Sequence, residues 1–292
     1  MSGIFQASPE KLRRHLEAVA RPRDLFENPA GLLAVQQYIE DELRSYGYKT
    51  EKHPFSFQGQ KFENVLARTG RAQTPAPPKR FIIGAHFDAV PGTDGADDNA
   101  SGVAGLLEAA RLLAQSPAAD SIDFLAFNAE EYGMVGSGRY VRDHCQGKNR
   151  AGILGMISLE MIGFTSQKKG SQQLPSVLKP FYPDTGNFLA LVGDGGAKKL
   201  LKTAAKAFQT VPGLPVQMLT VPVKGWLFVS TRLSDHSPFW DAGIPALLVT
   251  DTSFFRNPHY HLDSDKPATL DFGFMAKVTE GVCRLAADLF SI

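Results

Sequence analysis

Several short stretches of this chain carry side chains that bind metal ions or move protons: His86-Phe87-Asp88, Asp97-Asp98-Asn99, Glu130-Glu131, Glu160, Asp251 and, after a loop, His259-Tyr260-His261. Taken singly, each is weak, because a carboxylate after a strand commonly caps a helix or pairs at the surface, and a lone histidine is usually structural. Their conjunction is different. Two imidazoles and several carboxylates brought together form a mixed nitrogen and oxygen donor set suited to zinc. Carboxylates can also bridge a second ion, and two ions about 3.5–4 Å apart are a known device for hydrolysis.

Those residues need elements that converge. In open α/β sheets, ligands gather outside the carboxyl ends of the strands. Residues 80–85 (RFIIGA) and 123–128 (DFLAFN) are apolar runs of buried-strand type separated by a helical stretch from 102 to 114, which makes a β-α-β unit. His86 follows the first run, Glu130-Glu131 follows the second, and Asp97-Asp98-Asn99 directly precedes the helix. Strand candidates at 153–159 and 244–250 lead into Glu160 and Asp251. With another at 188–193 and helical stretches at 195–208 and 271–289, they give the pattern of a sheet covered on both faces. The fold class is α/β.

Upstream, apolar residues recur at helical spacing from about Pro9 to Tyr46, with Gly47 as a stop. Residues 49–57 and 62–68 alternate as two strands of a hairpin around Gln58-Gly59-Gln60, and a loop with Pro75, Pro77 and Pro78 follows. Segment 165–187, polar and rich in Pro and Gly, reads as a long surface loop, and 210–233 has no assignable pattern. Loops this long in a compact domain often frame a site.

A chain of 292 residues with 43% hydrophobic and 21% charged residues is ordinary for a globular protein with a substantial core. The chemical residues run from 86 to 265 and must converge, so a single domain is expected over 1–292. Its motif-bearing core begins near 80, and the helices and hairpin of 1–79 pack on it. Lys plus Arg total 31 against 30 for Asp plus Glu, which gives no electrostatic footprint for nucleic acid or an anionic membrane. Lys198, Lys199 and Lys202 read as the solvated face of a helix. No stretch approaches the ~18 apolar residues of a membrane span. Charges stand near the N-terminus where a signal peptide needs its apolar region, so a cytoplasmic chain is expected. Cys145 and Cys283 are far apart, outside any metal-like spacing, and are assigned to the core.

The strings AHFDAV (85–90), GADDNASGVAGLLEAAR (95–111), FNAEEYGMVGS (127–137), LEMIGF (159–164), SDHSPFWDAGIPALLV (234–249) and YHLDSD (260–265) are matched, in order, by a known family. Across about 180 residues the chain resembles the M28 zinc aminopeptidases, which include bacterial secreted aminopeptidases and the related glutaminyl cyclases. The resemblance implies a three-layer α/β/α sandwich on a mixed, mostly parallel sheet. It also implies a metal-dependent hydrolase that removes N-terminal residues from peptides with a free N-terminus, using water activated between two zinc ions. His86 and Glu160 would ligate one zinc, Glu131 and His261 the other, and Asp98 would bridge them. Asp88 would orient His86. Glu130 would be the general base. The bond after the bridging aspartate is commonly cis in the family, which here is Asp98–Asn99.

Met161, Tyr260 and Phe239 are expected to line the pocket for the substrate's first side chain. Asp235 and His236 are expected to brace the loop beside the site, His259 is left out of the ligand set, and Ser101 and Ser137 are assigned to helix contacts rather than nucleophilic roles. The same resemblance keeps a second reading open, a glutaminyl-peptide cyclotransferase with one zinc. Tyr260 stands where cyclases usually have tryptophan, which favours the peptidase. A third reading, an inactive binding module such as those of transferrin-receptor ectodomains, would be expected to lack ligands, and none is missing here.

Overall fold

The computed structural model describes residues 5–69 and 79–290, so the loop of Pro75, Pro77 and Pro78 lies outside the described residues. Helices α1 (Pro9–Val19) and α2 (Pro29–Ser45) each carry proline in their first turn, and Ser8 caps α1 by accepting from the Lys11 amide. A hairpin of β1 (Tyr48–Phe57) and β2 (Gln60–Thr69) follows, turning through Gln58 and Gly59, both at positive φ. Next come β3 (Arg80–His86), α3 (Gly102–Leu113), β4 (Ile122–Phe127), α4 (Val135–His144), α5 (Gly147–Ala151) and β5 (Ile153–Glu160). The chain ends with β6 (Leu189–Asp194), α6 (Lys198–Gln209), β7 (Val216–Val221), α7 (His236–Asp241), β8 (Ala246–Thr250) and α8 (Phe272–Leu289).

The strands form one sheet in the order β1-β2-β4-β3-β5-β8-β6-β7. Its four central strands, β4, β3, β5 and β8, are mutually parallel, β2 and β6 join them antiparallel, and β7 runs parallel to β6. The central strands are apolar on both faces, and their alternation divides the core in two. Phe81, Ile83, Phe124, Ile157, Leu247 and Val249 point to a large cluster built with α1, α2, α3, α6 and α8. Ile82, Leu125, Phe127, Met156 and Leu248 point to a smaller cluster with Tyr140, Val141, Phe239 and Trp240 of α4 and α7. The result is three layers, as the resemblance implies, and a mixed sheet. α4 and α7 are short, and beside them residues between 172 and 182 and between 228 and 233 line one cavity with Val192 and Leu248 of that face.

Parallel β4, β3, β5 and β8 put all their carboxyl ends at one edge. β3 is flanked by β4 on one side and β5 on the other, so the chain switches direction across the sheet next to His86. Segment 210–233, which has no assignable pattern in sequence, contains edge strand β7 and short 3₁₀ turns. No helix among the described residues is long and apolar enough to cross a membrane.

The layer of α1 and α2 contains a buried titratable group. His15 is fully buried, with Nδ1 2.8 Å from the Tyr38 hydroxyl and Nε2 3.2 Å from that of Tyr46. Burial first, then the Arg14 guanidinium, lowers its pKa to about 4, against the opposing pull of Glu42. The unfolded chain therefore binds a proton that the folded one refuses. The stability His15 confers is complete above about pH 6.5 and is lost as pH falls toward 4, at most on the order of 3 kcal/mol. In urea unfolding of the parent and of His15→Gln between pH 7.5 and 4, the parent is expected to lose more stability over that window. Equal pH dependence in the two proteins would refute the assignment.

Candidate metal centre

His86 closes β3 and is buried. Asp88, two residues on and fully buried, accepts from the Glu130 amide at 3.0 Å and the Glu131 amide at 3.2 Å, with its Oδ1 3.5 Å from His86 Nδ1. One carboxylate thus contacts the ring of His86 and fixes the backbone of the glutamate pair. The chain reaches that pair through Ala129 at φ +59, in the left-handed region, directly after β4. Glu160 is the last residue of β5; its two oxygens lie 3.4 and 3.3 Å from His86 Nε2.

Asp98 lies at the centre of the cluster. Its Oδ1 is 3.3 Å from His86 Nε2 and its Oδ2 is 3.1 Å from His261 Nε2, so each oxygen faces a different imidazole. Glu131 Oε2 lies 3.4 Å from the same nitrogen of His261. Asp98–Asn99 is cis. The Asp98 backbone is held from the far side by Asp265, which accepts from the Asp97 and Asp98 amides.

The charges in this cluster depend on one another. Burial alone would lower the pKa of His86, but Glu160 and Glu130 outweigh it and raise it well above the usual value. Burial likewise opposes a rise at His261, yet Asp98 and Glu131 bring it to about 10. Burial would raise Asp98, but hydrogen bonds from His261 and His86 hold it well below the carboxylate range. Burial, with Asp98 next, pushes Glu131 up to about 7, and burial raises Glu130 and Glu160. These carboxylates and imidazoles hold protons more readily than free side chains, apart from Asp98. A metal ion would displace those protons, so its binding releases them and weakens as pH falls.

The donor set fits zinc. Among the described residues, three groups bring donor atoms within 4.8 Å of one another: His86, Asp98 and Glu160; Asp98, Glu131 and His261; and His86, Glu130 and Glu131. The first two share Asp98. Glu131 Oε1 is buried without a hydrogen-bond partner, which is costly unless something else engages it.

These groups open into a cavity of about 360 Å³ whose polar end is Asp98, Glu130, Glu131, Glu160 and His261. Its other walls are largely apolar: Leu174, Leu178, Phe188, Val192, Phe228 and Phe254, with Tyr260 stacked on the His261 ring at 3.7 Å between centroids. Of the three expected pocket residues, only Tyr260 lines it. Met161 and Phe239 are completely buried and are not among the lining residues; Phe239 packs on Phe127 and Tyr140 in the smaller core cluster. Met161, directly after Glu160, has its backbone in the left-handed region at φ +49.

His236 Nε2 is 2.8 Å from the Thr231 carbonyl and its ring meets Trp240 edge-on, bracing the loop. His259 Nδ1 lies 3.0 Å from the Ser264 hydroxyl, and His259 belongs to none of the three groups. Ser101 donates to the Asp97 carbonyl, and Ser137 donates to that of Met134. Sequence reasoning overlooks Ser234, whose hydroxyl donates to Glu160 Oε2 at 2.8 Å, although it directly precedes the Asp235-His236 pair that drew attention. It also overlooks Asn99, whose Oδ1 accepts from the Met161 and Gly102 amides while its Nδ2 donates to the Leu159 carbonyl.

Residues 64–286 match the model of peptidase family M28; the match begins in β2, after α1, α2 and β1. The chain is 36% identical to the uncharacterized protein YfbL of Escherichia coli, over 96% of this chain and 88% of that protein. It is 31% identical to the aminopeptidase YwaD of Bacillus subtilis, over 65% of this chain but only 35% of that protein. Among solved structures, the LapA aminopeptidase of Legionella pneumophila superposes with a TM-score of 0.76 at 20% identity, covering 98% of this chain and 73% of that one. A glutaminyl cyclase of Porphyromonas gingivalis superposes with a TM-score of 0.69 at 18% identity, covering 97% and 99%. At these identities the two structures speak for the fold.

Proposed function

The chain belongs to peptidase family M28, and from that premise we propose that it is a zinc-dependent aminopeptidase that cleaves the first residue from peptides with a free N-terminus. The observation that carries the reading is the pair of three-residue donor groups sharing Asp98 at the polar end of an apolar cavity. We read 1–292 as one catalytic domain, since the β1-β2 hairpin is hydrogen-bonded into the same sheet as the site strands.

His86 and Glu160 would hold one zinc, Glu131 and His261 a second, and Asp98 would serve both. Bound there, zinc supplies Lewis acidity toward the scissile carbonyl and toward water. Glu130, buried at the cavity's polar end, takes the proton from the attacking water and returns it to the departing amine. Asp88 keeps Glu130 and Glu131 in place through their amides and orients His86. Ser234 fixes one oxygen of Glu160. The apolar walls take the substrate's first side chain, and they favour large aliphatic or aromatic residues over charged ones.

Zinc-loaded protein is therefore expected to release p-nitroaniline from leucyl and phenylalanyl anilides at least ~10-fold faster than from aspartyl or lysyl ones. Folded, zinc-loaded protein inactive on the whole panel would sink the reading. Its fold-level likeness to a glutaminyl cyclase gives the second reading a concrete form, and a Gln-initiated peptide separates the two. Pyroglutamate formation with one bound zinc would favour the cyclase; release of free glutamine with two favours the peptidase.

A further inference from the structure

Arg23 is completely buried, and none of the ion pairs among the described residues includes it. Its guanidinium bonds instead to backbone carbonyls: Nε to Phe87 at 2.7 Å, Nη1 to Arg21 at 3.1 Å and to Asp94, and Nη2 to Gly95 at 2.8 Å and Asp98 at 3.4 Å. All but one of these acceptors lie on the segment that runs from His86 to Asp98. Ordering that segment from within is a task for a rigid planar fork of donors, which lysine lacks. Approach this close also needs glycine at 95. Gly95 sits at φ +52, and a Cβ there would meet the Asp98 carbonyl oxygen at 2.2 Å and Arg23 Nη2 at 2.9 Å.

The next residue reaches the other half of the site. Asp24 is buried; its Oδ1 accepts from the Phe26 and Glu27 amides, each at 2.8 Å, and its Oδ2 accepts from the Tyr132 hydroxyl. Tyr132 directly follows Glu131, and its ring is held edge-on by Phe26 at 5.3 Å between centroids. The dipeptide is itself seated against α2, where a Cβ on Gly31 would lie 2.1 Å from the Pro22 carbonyl oxygen. One short stretch between α1 and α2 thus joins the loop that presents Asp98 to the loop that presents Glu130 and Glu131.

We propose that Arg23 and Asp24 are positioning residues of the metal centre, setting the distance between Asp98 and Glu131 through the backbones that carry them. The inference rests on the metal reading above and deepens it: zinc affinity depends on two residues that would contact neither ion. Groups outside the ligand shell that orient ligands typically matter by ~10–100-fold in affinity.

The test is zinc affinity by competition with a chromogenic chelator for the full chain, Arg23→Lys and Asp24→Ala. Leu25→Ala serves as a control that damages the core at the next residue, whose apolar side chain offers no hydrogen bond to either loop. Circular dichroism confirms that each variant is folded, and amide hydrogen exchange of 94–100 and 130–133 reports loop order without metal. The expected result is a ~10–100-fold loss of zinc affinity and faster exchange in the first two variants, with affinity within twofold of the parent in Leu25→Ala. Activity is expected to return at saturating zinc. Parent that binds zinc while Arg23→Lys and Asp24→Ala bind it within twofold overturns this proposal alone. Equal losses in Leu25→Ala also overturn it, in favour of a merely structural role. Parent that binds no zinc overturns the functional reading and this proposal with it.

Discussion

Glu130→Gln is expected to keep two zinc ions per chain and to lose activity by about 10²–10⁴-fold, the range that a positioned general base contributes. The substitution preserves shape and one acceptor, and it removes only the ability to take a proton. Glu130 is placed for that role. It is buried at the polar end of the cavity, its amide is fixed by Asp88, and its Oε2 lies 3.9 Å from His86 Nε2, the longest of the carboxylate approaches to that nitrogen. Glu131, one residue on, approaches His261 instead. Metal analysis and steady-state kinetics on the same sample decide the outcome. Loss of one zinc on Glu130→Gln would show that base and ligand have been exchanged between the two glutamates.

The second large effect is expected at Asp98. Asp98 alone belongs to both donor groups that contain a histidine and lack Glu130, so Asp98→Ala should damage both together. Zinc at about 1,000 times its dissociation constant stabilises a folded chain by about 4 kcal/mol per independent site. The parent should therefore show a clear zinc-dependent rise in melting temperature that disappears in Asp98→Ala, together with the activity. The metal-free variant should not unfold in consequence, because the Asp98 carboxylate is held chiefly by the two imidazoles while its amide is anchored separately by Asp265. Two tightly held zinc ions in Asp98→Ala would contradict the shared role.

The middle of the sheet is legible in sequence because its strands are short, apolar on both faces and followed at once by the polar residues they deliver. Strand 80–85 extends by a single residue to His86, and the helix expected over 271–289 occupies Phe272–Leu289. β7 is not legible, since its run of Val216 to Val221 alternates poorly and, at the sheet's edge, leaves Met218 exposed. α7 is six residues long and contains Pro238, too short for helical periodicity to register. At the site, His86, Glu130, Glu131 and Glu160 close or follow strands, whereas Asp98 precedes a helix and His261 lies on a loop, and the fold brings all six together. The resemblance puts Met161 and Phe239 in the pocket, but both are completely buried and neither lines the cavity. Arg23 and Asp24 give no sequence signal because they act on backbone groups far along the chain.

β6 enters the sheet antiparallel to β8, with Ala190 opposite Thr250. The start of β6 therefore lies beside the end of β8 in the cavity wall, and Phe188, Ala190 and Val192 contribute no donor to the metal groups found among the described residues. On the proposed reading, chemistry and selectivity fall to different codons: those for residues 86–160 and for His261 fix how a bond is broken, and those for 188–192 and 217–221, lying between them, fix whose bond it is. A library confined to positions 188–192 and 217–221 could retune substrate choice while leaving every proton-handling group in its inherited place.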